Sequence, residues 1–286
     1  MIVDMHTHYI DDPQALEPKL RADLKGCGLK PESWVHSEEE YLSATAAADK
    51  VVVFGLRGKA TGWNVSNERV ARFVRRHPEK YIYFTSIDPQ DVDALEQLRY
   101  EHQINGAKGL KLAPIYQGRR CMDPDYIPMY TYCQRMGLPI LFHMGTSFTS
   151  GVPIEYTKPM NIDEVACAFP DLKMVIAHVA HPWEGEALAV IRRNRNVYAD
   201  IAALYYRPWQ FYNTMRLAME YGCTHKLIFG SDFPATTTQD SVRGVLSMNG
   251  IIQNTGLPKV SDEILERIVY GNPLGALGIE QGGKSE

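Results

Sequence analysis

The stretch GLKLAPIYQGRRCMDPDYIPMYTYCQRMGLPILFHMG, residues 109–145, contains one complete strand–helix–strand unit. Its two ends, 109–114 and 139–145, are short apolar runs with the length of buried strands. The segment 126–136 between them is predicted to be a helix that stops at Gly137, because glycine commonly follows the last helical residue. A helix that connects two apolar strands is typical of a parallel sheet.

The same unit recurs along the whole chain. Apolar runs predict strands at 2–6, 50–56, 81–87, 109–114, 139–145, 173–179, 196–202 and 226–234. Helices are predicted at 67–77, 91–102, 126–136, 161–169, 184–194, 209–221, 239–253 and 261–277. A capping box formed by Ser37 and Glu40 starts one more helix after residue 37. Strand followed by helix, repeated eight times, predicts an α/β fold, a (β/α)8 barrel of the TIM type.

An open, doubly wound sheet is the alternative architecture for this pattern. Such a sheet would normally carry a glycine-rich phosphate turn after its first strand, and HTHYID at 6–11 contains no glycine. The chain shows no linker, so we expect one domain over residues 1–286, with a flexible tail at 280–286. Residues 9–36 are the least regular segment and follow the first strand, which predicts either a lid over the site or a structural wrap.

The composition limits the function classes. The net charge of −4 and the pI near 6.2 provide no basic field for nucleic acid. No apolar run approaches the roughly 18 residues of a membrane span, and the first apolar run begins at Ile2, without a basic leader, so we expect a cytoplasmic protein. The five cysteines are widely spaced without a C-x-x-C pair, which indicates reduced, structural thiols.

Polar side chains stand at the carboxyl ends of several predicted strands. In a barrel these ends meet at one mouth, so their side chains should converge. They are His6 and His8 from the first strand, Lys111 from the fourth, His143 from the fifth, His178 from the sixth and Asp232 from the eighth. On a regular strand Asp4, His6 and His8 would also share one face, because side chains alternate with a period of two.

Crowded polar groups in a barrel mouth are costly unless something satisfies them, and a divalent metal ion would do so. Nitrogen and carboxylate ligands without a thiolate favour Zn²⁺, with Mn²⁺, Fe²⁺ or Co²⁺ as alternatives. Zinc lowers the pKa of a bound water molecule to about 7 and polarises a carbonyl group. The sequence therefore predicts a divalent metal ion, most readily Zn²⁺, in an enzyme that activates water.

The motifs DMHTH, GLKLAP, LFHMGTS, IAHVAHPW and LIFGSDFP occur in this order, and with them the chain resembles the amidohydrolase superfamily. The resemblance is greatest to the amidohydrolase 2 branch, which is related to aminocarboxymuconate-semialdehyde decarboxylase, and runs from Ile2 to GNPLGALGI at 271–279. It implies a distorted barrel in which His6, His8, His143 and Asp232 hold the metal. It also implies that His178 is the acid/base or water-orienting residue and that Asp232 shuttles a proton.

Lys111 allows two interpretations under this resemblance. In binuclear branches a strand-four lysine is carbamylated and bridges two metals, whereas in the decarboxylase-like branch it would remain an ammonium that neutralises the substrate. We favour one metal ion, because GLKLAP also resembles the single-metal sequences. By analogy we further expect a homodimer.

Loop positions after the strands supply candidate substrate contacts. Arginine suits a carboxylate because its planar guanidinium donates two parallel hydrogen bonds. The candidates are Arg57, His181, Trp183, Tyr205 and Arg207.

Three functions fit these residues. The first is a metal-dependent hydrolase that acts on an amide, lactone or related carbonyl of a small carboxylated molecule. The second is a non-oxidative decarboxylase of an aromatic or muconate-like acid, which needs the same ligands. The third is a barrel that retains metal without turnover, and the intact Asp232 and His178 argue against it.

Overall fold

The computed structural model describes residues 1–279, so the tail predicted at 280–286 lies outside the described residues. Its parallel strands are β1 Val3–His8, β2 Lys50–Phe54, β3 in two segments Tyr81–Tyr83 and Thr85–Ser86, β4 Leu110–Leu112, β5 Ile140–Phe142, β6 Met174–Ile176, β7 Val197–Asp200 and β8 Leu227–Ile228. Each strand pairs in parallel with the next. The first and last strands close the barrel, because the Met5 N–H donates to the Phe229 carbonyl at 3.1 Å. The predicted (β/α)8 fold class is confirmed.

Helices surround the strands. They are α1 Pro18–Gly26, α2 Glu38–Ala44, α3 Asn67–Arg76, α4 Ala94–Gln103, α5 Pro114–Gln117, α6 Ile127–Met136, α7 Met160–Ala168, α8 Glu184–Arg193, α9 Pro208–Glu220, α10 Thr238–Leu246 and α11 Asp262–Tyr270. The capping box of Ser37 and Glu40 begins α2 as predicted. The helix predicted at 261–277 ends at Tyr270, because Pro273 disfavours helical backbone in the residue before it. The helix predicted at 239–253 divides into α10 and a 3-10 turn, Met248–Ile252.

Strand β1 contains a bulge that decides which side chains enter the barrel. Asp4 pairs with Val51, and Thr7 pairs with Val53, so β1 has one more residue than β2 between these pairs. Met5 therefore packs inside the barrel with Phe54, and His6, the next residue, also points inward. The prediction that Asp4 shares a face with His6 and His8 is wrong. Asp4 instead accepts hydrogen bonds from Ser231 and Thr238.

The lower interior of the barrel is apolar. Inward side chains of the strands, among them Val3, Met5 and Val52, form one buried cluster. The C-terminal segment after α11 adds Leu274, Leu277 and Ile279 to the same cluster. This segment fills the end of the barrel opposite the mouth, so the mouth is the end left for a site.

Segment 9–36 is more regular than its composition indicated. It contains α1 and two 3-10 turns, Pro13–Ala15 and Pro31–Trp34. Asp23 of α1 accepts hydrogen bonds from both the backbone N–H and the hydroxyl of Ser150, in the loop after β5. The segment is therefore attached to the rim of the mouth, and its role as a lid stays a prediction. Within the described part of the chain, no helix combines the length and apolar character needed to cross a membrane.

Candidate active site

The side chains of His6, His8 and Asp232 converge at the mouth, as their positions at the ends of predicted strands indicated. His6 Nε2 lies 3.3 Å from His8 Nε2 and 3.2 Å from Asp232 Oδ1, and His8 Nε2 lies 3.4 Å from the same oxygen. Two ligand atoms bound to one tetrahedral zinc ion, each at about 2.0–2.1 Å, lie about 3.4 Å apart. The spacing of these three atoms is therefore close to that of ligand atoms around one divalent ion.

His6 is fixed by a carboxylate that the sequence reasoning missed. Its Nδ1 lies 2.9 Å from Asp200 Oδ2, and both side chains are fully buried. Donation of the Nδ1 proton to Asp200 leaves the Nε2 lone pair free for a metal ion. Burial, reinforced by the charges of Lys111 and His178, holds the pKa of His6 well below its usual value, which keeps the ring neutral.

Asp200 also ties two loops together. Its Oδ1 accepts the backbone N–H groups of His178 and Ala202. Burial raises the pKa of this carboxyl. Asp200 ends β7, in the run NVYADIA, so the criterion that selected Asp232 would have selected it as well. Asp200, the carboxylate that holds His6, thus comes from β7, a strand in which the sequence analysis predicted no site residue.

His8 and Asp232 differ in how they are held. The Nδ1 atom of His8 is buried and has no hydrogen-bond partner among residues 1–279, and burial lowers the pKa of the ring. For Asp232, burial alone would raise the pKa, but the neighbouring His178 and the hydrogen bond with His8 outweigh it and lower the pKa. Asp232 is therefore an anion that can accept a proton or bind a cation.

Backbone strain is concentrated around the mouth. Positive φ angles occur at His178 (57°), Val179 (45°), Ala180 (49°), Ala203 (59°) and Asp232 (66°), all in turns that follow β6, β7 or β8. Such conformations cost about 1–3 kcal/mol each for residues with a Cβ and persist only where surrounding structure enforces them. Here they turn the chain out of the strand early and direct side chains into the mouth.

His178 and His143 complete the imidazole cluster. His178 Nδ1 lies 3.0 Å from the Ala202 carbonyl, and potential ligand atoms of His178, His6 and Asp232 lie within 4.8 Å of one another. His143 Nε2 lies 3.1 Å from the Thr146 carbonyl, so Nδ1 is the atom left for a metal. Burial holds the pKa of His143 well below its usual value. His178 thus lies close enough to His6 and Asp232 for the predicted role of an acid/base or water-orienting residue.

Lys111 lies inside the cluster. Its Nζ is 3.3 Å from His6 Nε2 and 4.7 Å from the centre of the Phe54 ring, and the side chain is fully buried. Burial lowers the pKa of Lys111 to about 7, against the opposing charges of Asp200 and Asp232. The amine is therefore next to the metal-binding atoms, as both interpretations of this lysine require.

A cavity of about 470 Å³ opens above this cluster. Aromatic side chains from different loops form one wall. The ring centres of Trp34 and Trp63 lie 5.8 Å apart, and Tyr116 stacks on His143 with ring centres 4.8 Å apart. The other lining residues are His8, Leu29, Ser33, Leu56, Thr146, Phe148, His178, His181, Ala203, Tyr206, Arg207, Asp232, Pro234 and Ala235. The cavity thus joins the polar groups of the histidine cluster to an apolar wall, as small-molecule sites usually do.

Two of the five predicted substrate contacts line the cavity, namely His181 and Arg207. The other three lie outside the cavity. Arg57 reaches Asp91 at 3.4 Å, and Tyr205 turns away to Thr236, with Tyr206 lining the cavity in its place. Trp183 precedes α8 and does not line the cavity. Neighbouring loop residues point in opposite directions here, which no local pattern predicts.

A family model described as Amidohydrolase matches residues 3–279. The match covers nearly the whole chain and confirms the resemblance indicated by the five motifs. A comparison with curated proteins finds no match.

Solved structures share the architecture. The uncharacterized TIM-barrel protein Bb4693 from Bordetella bronchiseptica is 23% identical, with a TM-score of 0.71 over 97% of this chain and 99% of that one. A 5-carboxyvanillate decarboxylase from Novosphingobium aromaticivorans, in complex with manganese and 4-hydroxy-3-methoxy-5-nitrobenzoic acid, is 12% identical, with a TM-score of 0.68 over 97% and 96%. A probable 2-pyrone-4,6-dicarboxylic acid hydrolase from Acinetobacter baumannii, with citric acid bound, is 13% identical, with a TM-score of 0.61 over 97% and 99%. At these identities the likeness shows the fold.

Proposed function

This chain belongs to the amidohydrolase family and is an enzyme of that superfamily, and on this basis we propose that it is a metal-dependent hydrolase. Its substrate is an amide, lactone or related carbonyl compound of small size that carries a carboxylate. The observation that carries the proposal is the convergence of His6, His8 and Asp232 within 3.2–3.4 Å at the mouth.

The residues divide the chemistry between them. His6, His8 and Asp232, with His143 as the fourth predicted ligand, would hold a divalent ion, which supplies a Lewis acid that activates water and polarises a carbonyl. Asp232, ionised at neutral pH, accepts the proton of the attacking water and passes it to the leaving group. His178 is within reach to steady the developing oxyanion. Zn²⁺ is the proposed ion, with Mn²⁺, Fe²⁺ or Co²⁺ as alternatives.

Arg207 supports a carboxylated substrate. It lines the cavity, and its guanidinium lies 4.7 Å from the centre of the Tyr206 ring. Among the described residues no Asp or Glu carboxylate lies within salt-bridge distance of this guanidinium. A cation without a protein counter-ion in a cavity favours an anionic ligand.

The aromatic wall favours a second function, non-oxidative decarboxylation of an aromatic or muconate-like acid. Trp34, Trp63 and Tyr116 would pack against a planar apolar ring. The decarboxylase and the probable hydrolase with related structures are both named for small carboxylated ring compounds. Both functions use the same metal-binding residues, so they differ in which bond of the substrate breaks.

Elemental analysis followed by a substrate screen tests the proposal. The purified enzyme should hold one equivalent of a divalent metal and turn over members of a panel of lactones, amides and hydroxybenzoates, with CO₂ release monitored separately. Turnover without CO₂ supports the hydrolase, and CO₂ release supports the decarboxylase. Full activity after complete metal removal would refute both.

His178→Asn adds a test of roles within the site. It should keep the metal and abolish turnover, and normal turnover would contradict the role of His178. The homodimer and the cytoplasmic location remain predictions from the sequence.

A further inference from the structure

A second histidine–carboxylate pair borders the cavity outside the metal cluster. We propose that His181, positioned by Glu184, determines substrate specificity by accepting a hydrogen bond at Nε2 from a hydroxyl or N–H group of the substrate. This inference rests on the proposed function, since it concerns the substrate of the same cavity. It adds a required chemical group to that substrate, in addition to its carboxylate and reacting carbonyl.

The geometry of the pair fixes the ring. His181 Nδ1 lies 2.7 Å from Glu184 Oε1, and the two residues are only 8% and 9% exposed. A carboxylate can only accept, so Nδ1 must donate its proton to Glu184. In the neutral ring this leaves Nε2 with a lone pair, as the outer carboxylate does for histidines that bind metals.

Glu184 lies where a helix favours a negative charge. It is the first residue of α8, a helix of ten residues, where the unsatisfied backbone N–H groups favour negative charge. A buried carboxylate in this position has His181 as its side-chain partner. The helix therefore stabilises the charge that orients the ring.

The backbone of His181 is held as firmly as its ring. Its carbonyl accepts the Thr146 N–H at 2.7 Å, and its own N–H donates to the His178 carbonyl at 2.9 Å. A Cβ at Gly145 would lie 2.3 Å from the His181 carbonyl oxygen, so glycine is required for this close approach. The loops after β5 and β6 thus lock His181 at one place on the wall.

The Nε2 atom itself has no hydrogen-bond partner within residues 1–279, whereas Nδ1 and both backbone polar groups of His181 are paired. The side chain is 10% exposed and lines the cavity, so a ligand in the cavity can reach it. A largely buried acceptor that binds a substrate donor discriminates against analogues without that donor, because its lone pair would then be left unpaired. The substrate therefore carries a hydroxyl or N–H on the side of the cavity that faces His181.

Nitrogen NMR of the histidine-labelled, zinc-loaded full chain tests the orientation of the ring independently of any substrate. In the wild type we expect His181 to carry its proton on Nδ1, with Nε2 unprotonated. Glu184→Gln should weaken this preference, and Glu186→Gln, on the exposed face of the same helix, should preserve it. A proton on Nε2 in the wild type would overturn the inference, whether or not the enzyme proves to be a hydrolase.

Kinetics test the recognition. The probes are the most active compound of the screen and its counterpart in which the hydroxyl or N–H is methylated. His181→Phe should raise KM for the first compound about 10-fold to 100-fold, with a smaller change in kcat and little change for the methylated compound. Glu184→Gln should have a smaller effect of the same kind. An equal loss of kcat/KM for both compounds, or a loss in kcat alone, would overturn the inference. Unchanged metal content in these variants would show that such a result does not come from failure of the proposed function.

Discussion

The two ends of the barrel interior have opposite chemistry although the same strands build them. Toward the closed end, Val3, Met5 and Val52 pack with the C-terminal Leu277 in an apolar cluster. Toward the mouth, the next inward residue of β1 is His6, which meets charged and polar groups. A single bulge in β1 separates the two regions. One end therefore stabilises the fold, and the other end can hold strained turns and buried charges that would destabilise a protein without that support.

Asp232→Ala should affect the mouth most strongly. It removes the carboxylate that meets both histidines and is the proposed proton acceptor. We expect loss of bound metal and a fall in kcat/KM of more than about 10³-fold, or about 4 kcal/mol of transition-state stabilisation. Elemental analysis and steady-state kinetics measure both effects. Asp125→Ala, at the exposed surface, is the control, and retention of metal and activity in Asp232→Ala would disprove the proposed centre.

Leu277→Ala tests the closed end. This side chain is completely buried in the apolar cluster, so its truncation should lower the free energy of unfolding by about 2–5 kcal/mol. Metal content and kcat should stay unchanged, because the cavity lies at the opposite end. Urea denaturation measures the change, and Leu257→Ala, at an exposed position, should cost less than about 0.5 kcal/mol. A loss of metal in Leu277→Ala would show that the two ends are not independent.

Asp200→Asn should produce an intermediate effect on the mouth. The amide keeps the shape of the side chain but loses the charge that orients His6. Metal affinity should fall about 10-fold to 100-fold, which corresponds to about 1.4–2.7 kcal/mol. Competition with a chelator measures it, and Asp171→Asn on the surface provides the matched control. Unchanged affinity would mean that other contacts suffice to orient the ring.

The protonation of the imidazole cluster should make the stability of the metal-free chain depend on pH. Burial lowers the pKa of His6, His8 and His143 in the folded, metal-free chain relative to the unfolded chain. Below about pH 6.5 the unfolded state therefore binds more protons, so these groups lower the free energy of unfolding as the pH falls, and have no effect well above it.

Thermal unfolding of the metal-free chain from about pH 8 to about pH 5.5 tests this sign. We expect Tm to decrease across the interval. The decrease should be steeper with metal bound, because the ion requires neutral imidazoles. A Tm that is constant or rises toward acid would contradict the neutral state of the cluster.

The substrate wall shows where prediction from sequence ends. Tyr205 and Tyr206 are neighbours after β7, and the sequence analysis selected Tyr205, whereas Tyr206 lines the cavity. The positive φ of Ala203 directs this turn, and nothing in its residue type announces it. By contrast, Asp200 was predictable, since it ends a strand as Asp232 ends its apolar run. The orientation of Tyr206 therefore depends on tertiary structure, whereas the position of Asp200 can be read from the sequence.

The sequence by itself determined the barrel and the histidines, the lysine and Asp232 that meet at its mouth. Apolar runs and helix signals are local properties, and a polar residue at the end of each run can be read directly from the chain. Only the tertiary structure decided which atoms meet: that Asp4 leaves the face of His6, that Asp200 holds His6, and that Glu184 holds His181. The reason is that one extra residue in a strand, or one left-handed turn, reverses a side chain, and these features depend on hydrogen bonds to neighbouring strands and loops.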